Sequence, residues 1–186
     1  LSMEKLTEAL KVTPMFGTLS GIIPQMTYTD AVMTMNGVLV FDVFDGAVVA
    51  RNLTLIEPLG LAPHLLMDIG MHYIDLDLLT RAYSFRNMQG RIDVEINAME
   101  LVNWQPIKFD ARLVSSPGSY KKRISQAAIQ NLTALGGASV MSVVQRSFLQ
   151  IFEDFSYARI GWRCRLQGNI CEMTGIETAD IEQSPD

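Results

Sequence analysis

Residues 17–114 show an alternation of apolar and polar side chains with a period of two. In the stretch RIDVEIN, three branched apolar residues alternate with charged or amide residues, and IKFDARLV repeats the pattern. In MDIGMHY, the alternation places Met67, Ile69, Met71 and Tyr73 on one face. Strands of this kind have one apolar and one polar face, which is typical of an antiparallel sheet. A short helical turn is predicted within the strands, near residues 75–84.

The period changes to about 3.6 residues between positions 119 and 155, where apolar residues recur every three or four positions. Two stripes lie on either side of a Gly-Gly pair, and this spacing predicts a two-part helical segment. The first stripe comprises Ile124, Ala128, Leu132 and Leu135, and the second comprises Val140, Val144, Phe148, Ile151, Phe152 and Phe155. A short helix is also predicted over residues 2–11, with Ser2 as its N-cap.

These patterns together predict one α+β domain over residues 1–186. Its centre is a curved, mostly antiparallel sheet at 17–114 with one apolar face. A short N-terminal helix and the helices of 119–155 flank this sheet, and a β-hairpin follows at 158–176.

Composition narrows the classes of function. Hydrophobic residues make up 48% of the chain and charged residues 19%, yet no apolar run reaches the roughly 18 residues of a membrane-spanning helix. The net charge of −5 argues against a nucleic-acid partner, which calls for a basic surface. Because the sequence begins at Leu1 and carries no signal peptide, we expect a piece of a longer protein.

The only two cysteines, Cys164 and Cys171, flank a turn signal at Gly168-Asn169. If the loop covers four residues, the two cysteines face each other directly, and if it covers two, a bridge between them is diagonal. Too few ligands accompany them for a metal site, and their spacing does not match a redox pair. A structural disulfide is favoured, with two buried free thiols as the alternative.

No catalytic motif is found. The chain has no nucleophile elbow and no phosphate-binding glycine loop. Asp42 and Asp45 lack the spacing of a calcium loop, and a turn before a glycine explains them more simply. His72 on a polar strand face is interpreted as a solvated side chain rather than a base. We therefore predict no enzyme activity, no cofactor and no metal.

A basic run and two phenylalanines are candidates for docking. Lys121, Lys122 and Arg123 are interpreted as a solvated helix end, or alternatively as a contact for anionic head groups. The second helical stripe, with Phe148 and Phe152, covers the sheet or alternatively meets a membrane or partner.

Two long stretches resemble a known family. They are KKRISQAAIQNLTALGG with VQRSFLQIFEDFSYARIGWRCRLQGNICEMTG, and the earlier HYIDLDLLTRAYSFRNMQGRIDVEINAMELVNWQPIKFDARL. They resemble the C-terminal region of AsmA-like periplasmic proteins of the YdbH type. That resemblance implies a periplasmic segment of a Gram-negative envelope protein anchored in the inner membrane. Such proteins guide phospholipid between the two membranes along an apolar β-groove, and the cysteine pair matches their pattern.

The resemblance implies a groove for phospholipid or another acyl-chain ligand, and possible partners in the outer membrane or envelope. The candidate groove residues are Ile69, Met71, Ile92, Val94, Ile96 and Phe109. The alternative is a non-catalytic structural or docking domain, in which the same side chains are ordinary core.

Overall fold

The fold is a large antiparallel β-sheet with a small second sheet at one end. A computed structural model describes residues 17–20, 25–82, 88–125 and 154–175. Within these ranges, the strands that precede the helix are β1 Gly17–Ser20, β2 Gln25–Thr29, β3 Val32–Asn36, β4 Val38–Val43, β5 Gly46–Ile56 and β6 His64–Asp75. The helix α1 is Leu76–Ala82. The strands after it are β7 Met88–Gln89, β8 Arg91–Val102, β9 Gln105–Ser115, β10 Arg123–Ser125, β11 Asp154–Ser156, β12 Gly161–Gln167 and β13 Ile170–Gly175.

Neighbouring strands of the large sheet are mostly neighbours in sequence, and all its pairs are antiparallel. The order is β1-β4-β5-β6-β8-β9-β12-β13, with β3 pairing the far end of β5 and β2 pairing β3. The small sheet has the order β11-β10-β7. The antiparallel sheet that alternation predicts for residues 17–114 is therefore confirmed, and β12 and β13 form a hairpin that extends it.

Positive φ angles mark the tight turns and the bulges of the sheet. Both central residues have positive φ at three two-residue turns, as a type I′ hairpin requires: Asp30-Ala31, Phe44-Asp45 and Asn103-Trp104. Asn52, Tyr73 and Ala98 also have positive φ, and each lies where the register between strands shifts. Since a bulge bends and twists its strand, these three sites curve the sheet.

The bulge at Tyr73 overturns one detail of the predicted alternation. Strict alternation places Tyr73 on the same face as Met71, but the extra residue in β6 resets the pattern. Ile74 takes that position instead and is only 2% exposed, whereas Tyr73 is exposed. The side chain of Asp93 accepts a hydrogen bond from the Tyr73 backbone N–H at 2.7 Å, which holds the bulge in place.

The core lies where α1 and the small sheet meet the large sheet. Ile74, Leu76 and Ile92 are buried together, and a ring of partly buried apolar residues packs against them. The helix starts here because the carboxylate of Asp75 accepts hydrogen bonds from the backbone N–H groups of Asp77 and Leu78, as an N-cap does. We call this end of the sheet the capped end.

The predicted α+β class is wrong, because the described chain is mostly antiparallel β-sheet with α1 as its one helix of seven residues. In the described part of residues 119–155, the predicted two-part helical segment is not seen. Its described parts are extended: Arg123–Ser125 and Asp154–Ser156 pair with each other in the small sheet. Ile124, which the 3.6-residue period assigns to a helix, is instead buried in a strand. Residues 126–153 and the predicted helix at 2–11 lie outside the described residues.

Candidate functional site

One face of the large sheet carries two parallel rows of apolar side chains. Residues that are directly paired across an antiparallel ladder lie on the same face, so the rows follow from the register. The first row is Leu39, Ala50, Ile69, Ile96, Ala111 and Cys164. The second row is Phe41, Val48, Met71, Val94, Leu113 and Trp162. We call these two rows the apolar face.

The apolar face is long compared with a lipid chain. Each row crosses the same six strands, from β4 to β12. With neighbouring strands about 4.8 Å apart, the five spacings between them give roughly 24 Å. The hydrocarbon layer of a bilayer is about 30 Å thick, so one acyl chain spans about 15 Å. The face is therefore long enough to hold an extended acyl chain across the strands.

Most of this face is neither buried nor freely exposed. Ala50, Ala111 and Cys164 are buried, and each has a small side chain. The other nine residues of the two rows keep intermediate exposure. A core of close-packed side chains buries its members more completely, as the capped end does.

The predicted groove residues divide between the face and the core. Ile69 pairs with Ile96 in the first row, and Met71 pairs with Val94 in the second, where both also pack against the core. Phe109 lies beside the first row, paired with Leu166. Ile92 is only 4% exposed and belongs to the core of the capped end, so it lines no accessible surface in this structure.

The opposite face of the sheet is charged. Glu95 lies 3.6 Å from Arg51 and 3.7 Å from His72, so His72 belongs to an exposed polar group that bridges three strands. Asp68 accepts hydrogen bonds from the Asn52 side chain and the Ala98 backbone N–H, both at 2.7 Å. These bonds tie together two of the bulges that curve the sheet.

A bidentate ionic contact on the charged face joins β9 to β12. The guanidinium of Arg163 donates two hydrogen bonds to Asp110, one of them at 2.7 Å, and Arg165 lies 3.5 Å from the same carboxylate. Hydrogen bonding from Arg163 lowers the pKa of Asp110 below its ordinary value of 3.8, and the positive charges of both arginines act in the same direction. This group therefore stays ionised into acid solution.

We expect Asp110→Asn to lower the free energy of unfolding near pH 7 by about 1 kcal/mol, as for a partly exposed bidentate pair. Because the folded-state pKa is depressed, this stabilisation is complete above the ordinary value and is lost as the pH falls through the lowered one. Urea unfolding at pH 7, 4 and 3 should show the difference from the unmodified chain shrinking with acid. Glu172→Gln, a neutralised carboxylate on the edge strand, is the control. A difference that stays constant over this range would contradict the prediction.

The predicted disulfide is confirmed, in the diagonal arrangement. Cys164 and Cys171 are bonded, with their Cα atoms 5.8 Å apart. The turn covers only Gly168-Asn169, so Leu166 is the residue that directly faces Cys171. The bridge fixes the edge strand β13 to β12 at the margin of the apolar face.

The predicted docking residues lie at the capped end or outside the described chain. Lys121 and Lys122 lie in the connection before β10, where the Lys122 amine is 5.0 Å from the centre of the Tyr120 ring. Arg123 begins β10 and pairs with Gln89 and Ser156. Phe148 and Phe152 lie outside the described residues.

Asp45 has a structural role in its turn. It has positive φ, and its carboxylate and backbone carbonyl both accept hydrogen bonds from Arg91. Arg91 also lies 4.5 Å from the centre of the Tyr73 ring and donates a hydrogen bond to the Tyr73 carbonyl. The contacts of Arg91 and Asp45 join the β4–β5 turn to the bulge of β6.

Within the described ranges, no group of three or more His, Cys, Asp or Glu side chains could hold a metal ion. No helix among those residues is long and apolar enough to cross a membrane. No protein-family model, curated protein or solved structure matches this chain. The chemistry of the two faces is therefore the guide to function.

The most exposed apolar residues are not among the functional candidates predicted from the sequence. Leu59 and Leu61 lie in a loop between Pro58 and Pro63, and Trp104 lies in a hairpin turn. Large apolar residues among turn-forming prolines and glycines are a signal that can be read from the sequence, because a turn provides no face on which to bury them.

Proposed function

We propose that the apolar face binds acyl chains of phospholipid in an oxidising compartment such as the periplasm, and performs no catalytic step. The observation that carries the proposal is the pair of continuous apolar rows that cross six strands, in which nine of the twelve side chains keep intermediate exposure. An acyl chain laid along them replaces water on both rows and gains about 25 cal/mol for each Å² of apolar surface covered.

The other features are consistent with this assignment. The charged face opposite keeps the sheet soluble on one side while the other carries the ligand. A disulfide such as Cys164–Cys171 persists in secreted and periplasmic proteins and is rare in reducing compartments. The resemblance to AsmA-like proteins supports the same class of ligand, and an envelope partner at one end of the sheet is part of the proposal.

A second candidate is a non-catalytic docking domain with a closed core. One observation favours it: four of the six residues of the second row, Val48, Met71, Val94 and Leu113, pack against the buried cluster of the capped end. In this alternative the capped core continues along the whole face. The two candidates differ in what contacts Ile69 and Ile96: an acyl chain in the first, and other side chains of the protein in the second.

Photocrosslinking separates the two candidates. A photoreactive residue is placed singly at Ile69, Ile96 or Phe109, and, as controls on the charged face, at Glu95 or Arg112. The purified protein is loaded with phospholipid, freed of vesicles and irradiated, and adducts are identified by mass. We expect phospholipid adducts at the three apolar positions and at neither control. Folded protein that forms no adducts, or forms equal adducts on both faces, would contradict acyl-chain binding.

A further inference from the structure

The most exposed apolar side chains gather at one end of the large sheet. Ten large hydrophobic residues are exposed in the described part of the chain. The five with the highest exposure all lie at or beside the turns of one end: Leu61 at 101%, Leu59 at 95%, Ile170 at 75%, Trp104 at 62% and Tyr28 at 60%. This end is opposite the capped end.

Strand pairing places four connections side by side. The β2–β3 turn, the β5–β6 loop and the β8–β9 turn follow one another along the sheet, because Ile56 pairs with both Val32 and His64, which in turn pairs with Val102. The β12–β13 turn lies beyond them, where the Gly168 backbone N–H donates to the Ile107 carbonyl at 2.7 Å. We call these four connections and their flanking residues the loop end.

Backbone hydrogen bonds hold the first three connections together. The Glu57 backbone N–H donates to the Ala31 carbonyl at 2.8 Å, and the Asn103 backbone N–H donates to the Pro63 carbonyl at 2.9 Å. The loop between β5 and β6 is closed by a further bond from Gly60 to the Glu57 carbonyl at 2.9 Å. The exposed leucines therefore lie on a loop that backbone hydrogen bonds hold in place.

Folding does not account for these side chains. Leu59 and Leu61 are as exposed as in an extended peptide, so neither contributes burial to the fold. Trp104 occupies a turn position with φ of 63°, where glycine is the favoured residue, and it packs into no core. Large exposed apolar groups concentrated at one place mark an interaction surface.

We propose that the loop end inserts into the interfacial layer of a phospholipid bilayer. The five exposed side chains lie on or beside four connections that are spread over the sheet from β2 to β13, about 34 Å for seven strand spacings. They form a line of exposed side chains rather than a compact patch, which suits a broad fluid surface. Leucine side chains enter the acyl region, and a tryptophan ring is favoured at the level of the head groups.

The charges of the loop end indicate which lipids it contacts. Asp30 and Glu57 are the only charged residues of the four connections, and neither lysine nor arginine is present in them. An acidic rim is repelled by anionic lipid surfaces, which attract basic clusters. The surface therefore fits zwitterionic head groups such as phosphatidylcholine and phosphatidylethanolamine. This inference goes beyond acyl-chain binding on the apolar face and does not depend on it.

Vesicle flotation tests the proposal with the full chain. Vesicles of phosphatidylcholine and phosphatidylethanolamine should carry the protein upward in a density gradient. We expect the double variant Leu59→Ser/Leu61→Ser to lower the partition coefficient at least about 10-fold. The control is Val38→Ser/Met173→Ser, which removes two exposed apolar side chains away from the loop end and should change partition less than about twofold. Tryptophan emission, taken as the difference from a Trp104→Phe chain, should shift to the blue with vesicles and be quenched by brominated lipid.

Three outcomes overturn the proposal. In the first, the unmodified protein stays at the bottom of the gradient. In the second, the Leu59→Ser/Leu61→Ser chain floats as well as the unmodified chain. In the third, the unmodified protein does not bind vesicles but sediments as an oligomer, and the two serine substitutions dissociate that oligomer. The last result assigns the loop end to a second copy of the chain. Crosslinking of lipid-loaded protein at Ile96, measured without vesicles, should be unchanged in the Leu59→Ser/Leu61→Ser chain. Failure of bilayer insertion is thereby distinguished from failure of acyl-chain binding.

Discussion

Replacing Ile74 by alanine should lower the free energy of unfolding by about 3–4 kcal/mol, within the range measured for large-to-small changes in tight cores. Ile74 is 2% exposed and packs with Leu76 and Ile92 at the capped end. Truncation removes three carbons and leaves a cavity that the paired strands and the helix cannot collapse to fill. Urea unfolding followed by circular dichroism provides the measurement, with a lower midpoint and an unchanged slope.

Ile96→Ala is the matched control for this change. It removes the same atoms from the same face, but Ile96 keeps intermediate exposure and lies away from the capped end. Since less surface leaves water there and a cavity can open to solvent, we expect a loss of less than about 1.5 kcal/mol. An equal loss at the two positions would mean that the apolar face is close-packed along its whole length, which contradicts acyl-chain binding and favours the closed docking domain.

The sheet could be predicted from the sequence because the alternation that specifies each strand is a pattern of adjacent residues. Alternation in β8, β9 and β12 assigns every second residue to the apolar face, and the register of the structure agrees: Val94 pairs with Leu113, which pairs with Trp162. The same logic fails at a bulge. One inserted residue at Tyr73 moves Ile74 to the buried face, and no glycine or proline announces the insertion in the sequence.

The helical prediction failed for a different reason. A 3.6-residue stripe and a strand can share apolar positions over a short stretch, and the choice between them depends on what the segment can pair with. Ile124 pairs with Met88 on one side and Phe155 on the other, so tertiary pairing decided the outcome at this residue. Nothing within three residues of Ile124 predicts a partner strand about 30 residues away.

The disulfide could be predicted in part from the sequence. The sequence places two cysteines on either side of a turn, and this alone favours a bridge. It does not fix whether the loop has two or four residues, and the two loops give different partners across the hairpin. The structure has the shorter turn, with φ of 61° at Gly168, so Cys171 faces Leu166. Glycine accepts this backbone conformation at little cost, which selects the two-residue turn.

Replacing Gly90 by alanine should cost about 3 kcal/mol or more, because it combines backbone strain with a steric conflict. Gly90 has φ of 149°, and a Cβ atom there would overlap the hydroxyl oxygen of Tyr157. That hydroxyl donates a hydrogen bond of 2.9 Å to the Gln89 carbonyl. Burial raises the pKa of Tyr157 to about 12, so its hydroxyl remains protonated over the neutral range. The ring cannot move aside without losing this bond.

A double-mutant cycle tests whether steric overlap with Tyr157 causes the loss of stability in Gly90→Ala. Tyr157→Phe alone should cost about 1 kcal/mol for the lost hydrogen bond. In that background, Gly90→Ala should cost about 1–2 kcal/mol less than in the unmodified chain, because the oxygen nearest the new methyl group is gone. Gly168→Ala is the control for backbone strain alone, since its φ is also positive and no atom lies within 4 Å of the added Cβ. A cost for Gly90→Ala that is independent of Tyr157 would contradict the steric explanation.

Gly90 links the three elements that meet at the capped end, which are α1, the small sheet and the large sheet. Its carbonyl accepts a hydrogen bond of 2.9 Å from the Leu76 backbone N–H, the first residue of α1, and it connects β7 of the small sheet to β8 of the large one. A methyl group there pushes Tyr157 away from the small sheet and loosens the cover over Ile74 and Ile92. If α1 and the small sheet cover the buried core independently of the apolar face, Gly90→Ala should make tryptic cleavage at Arg81 and Arg91 faster and leave lipid crosslinking at Ile96 unchanged. Loss of both together would show that the cap and the apolar face fold as one unit.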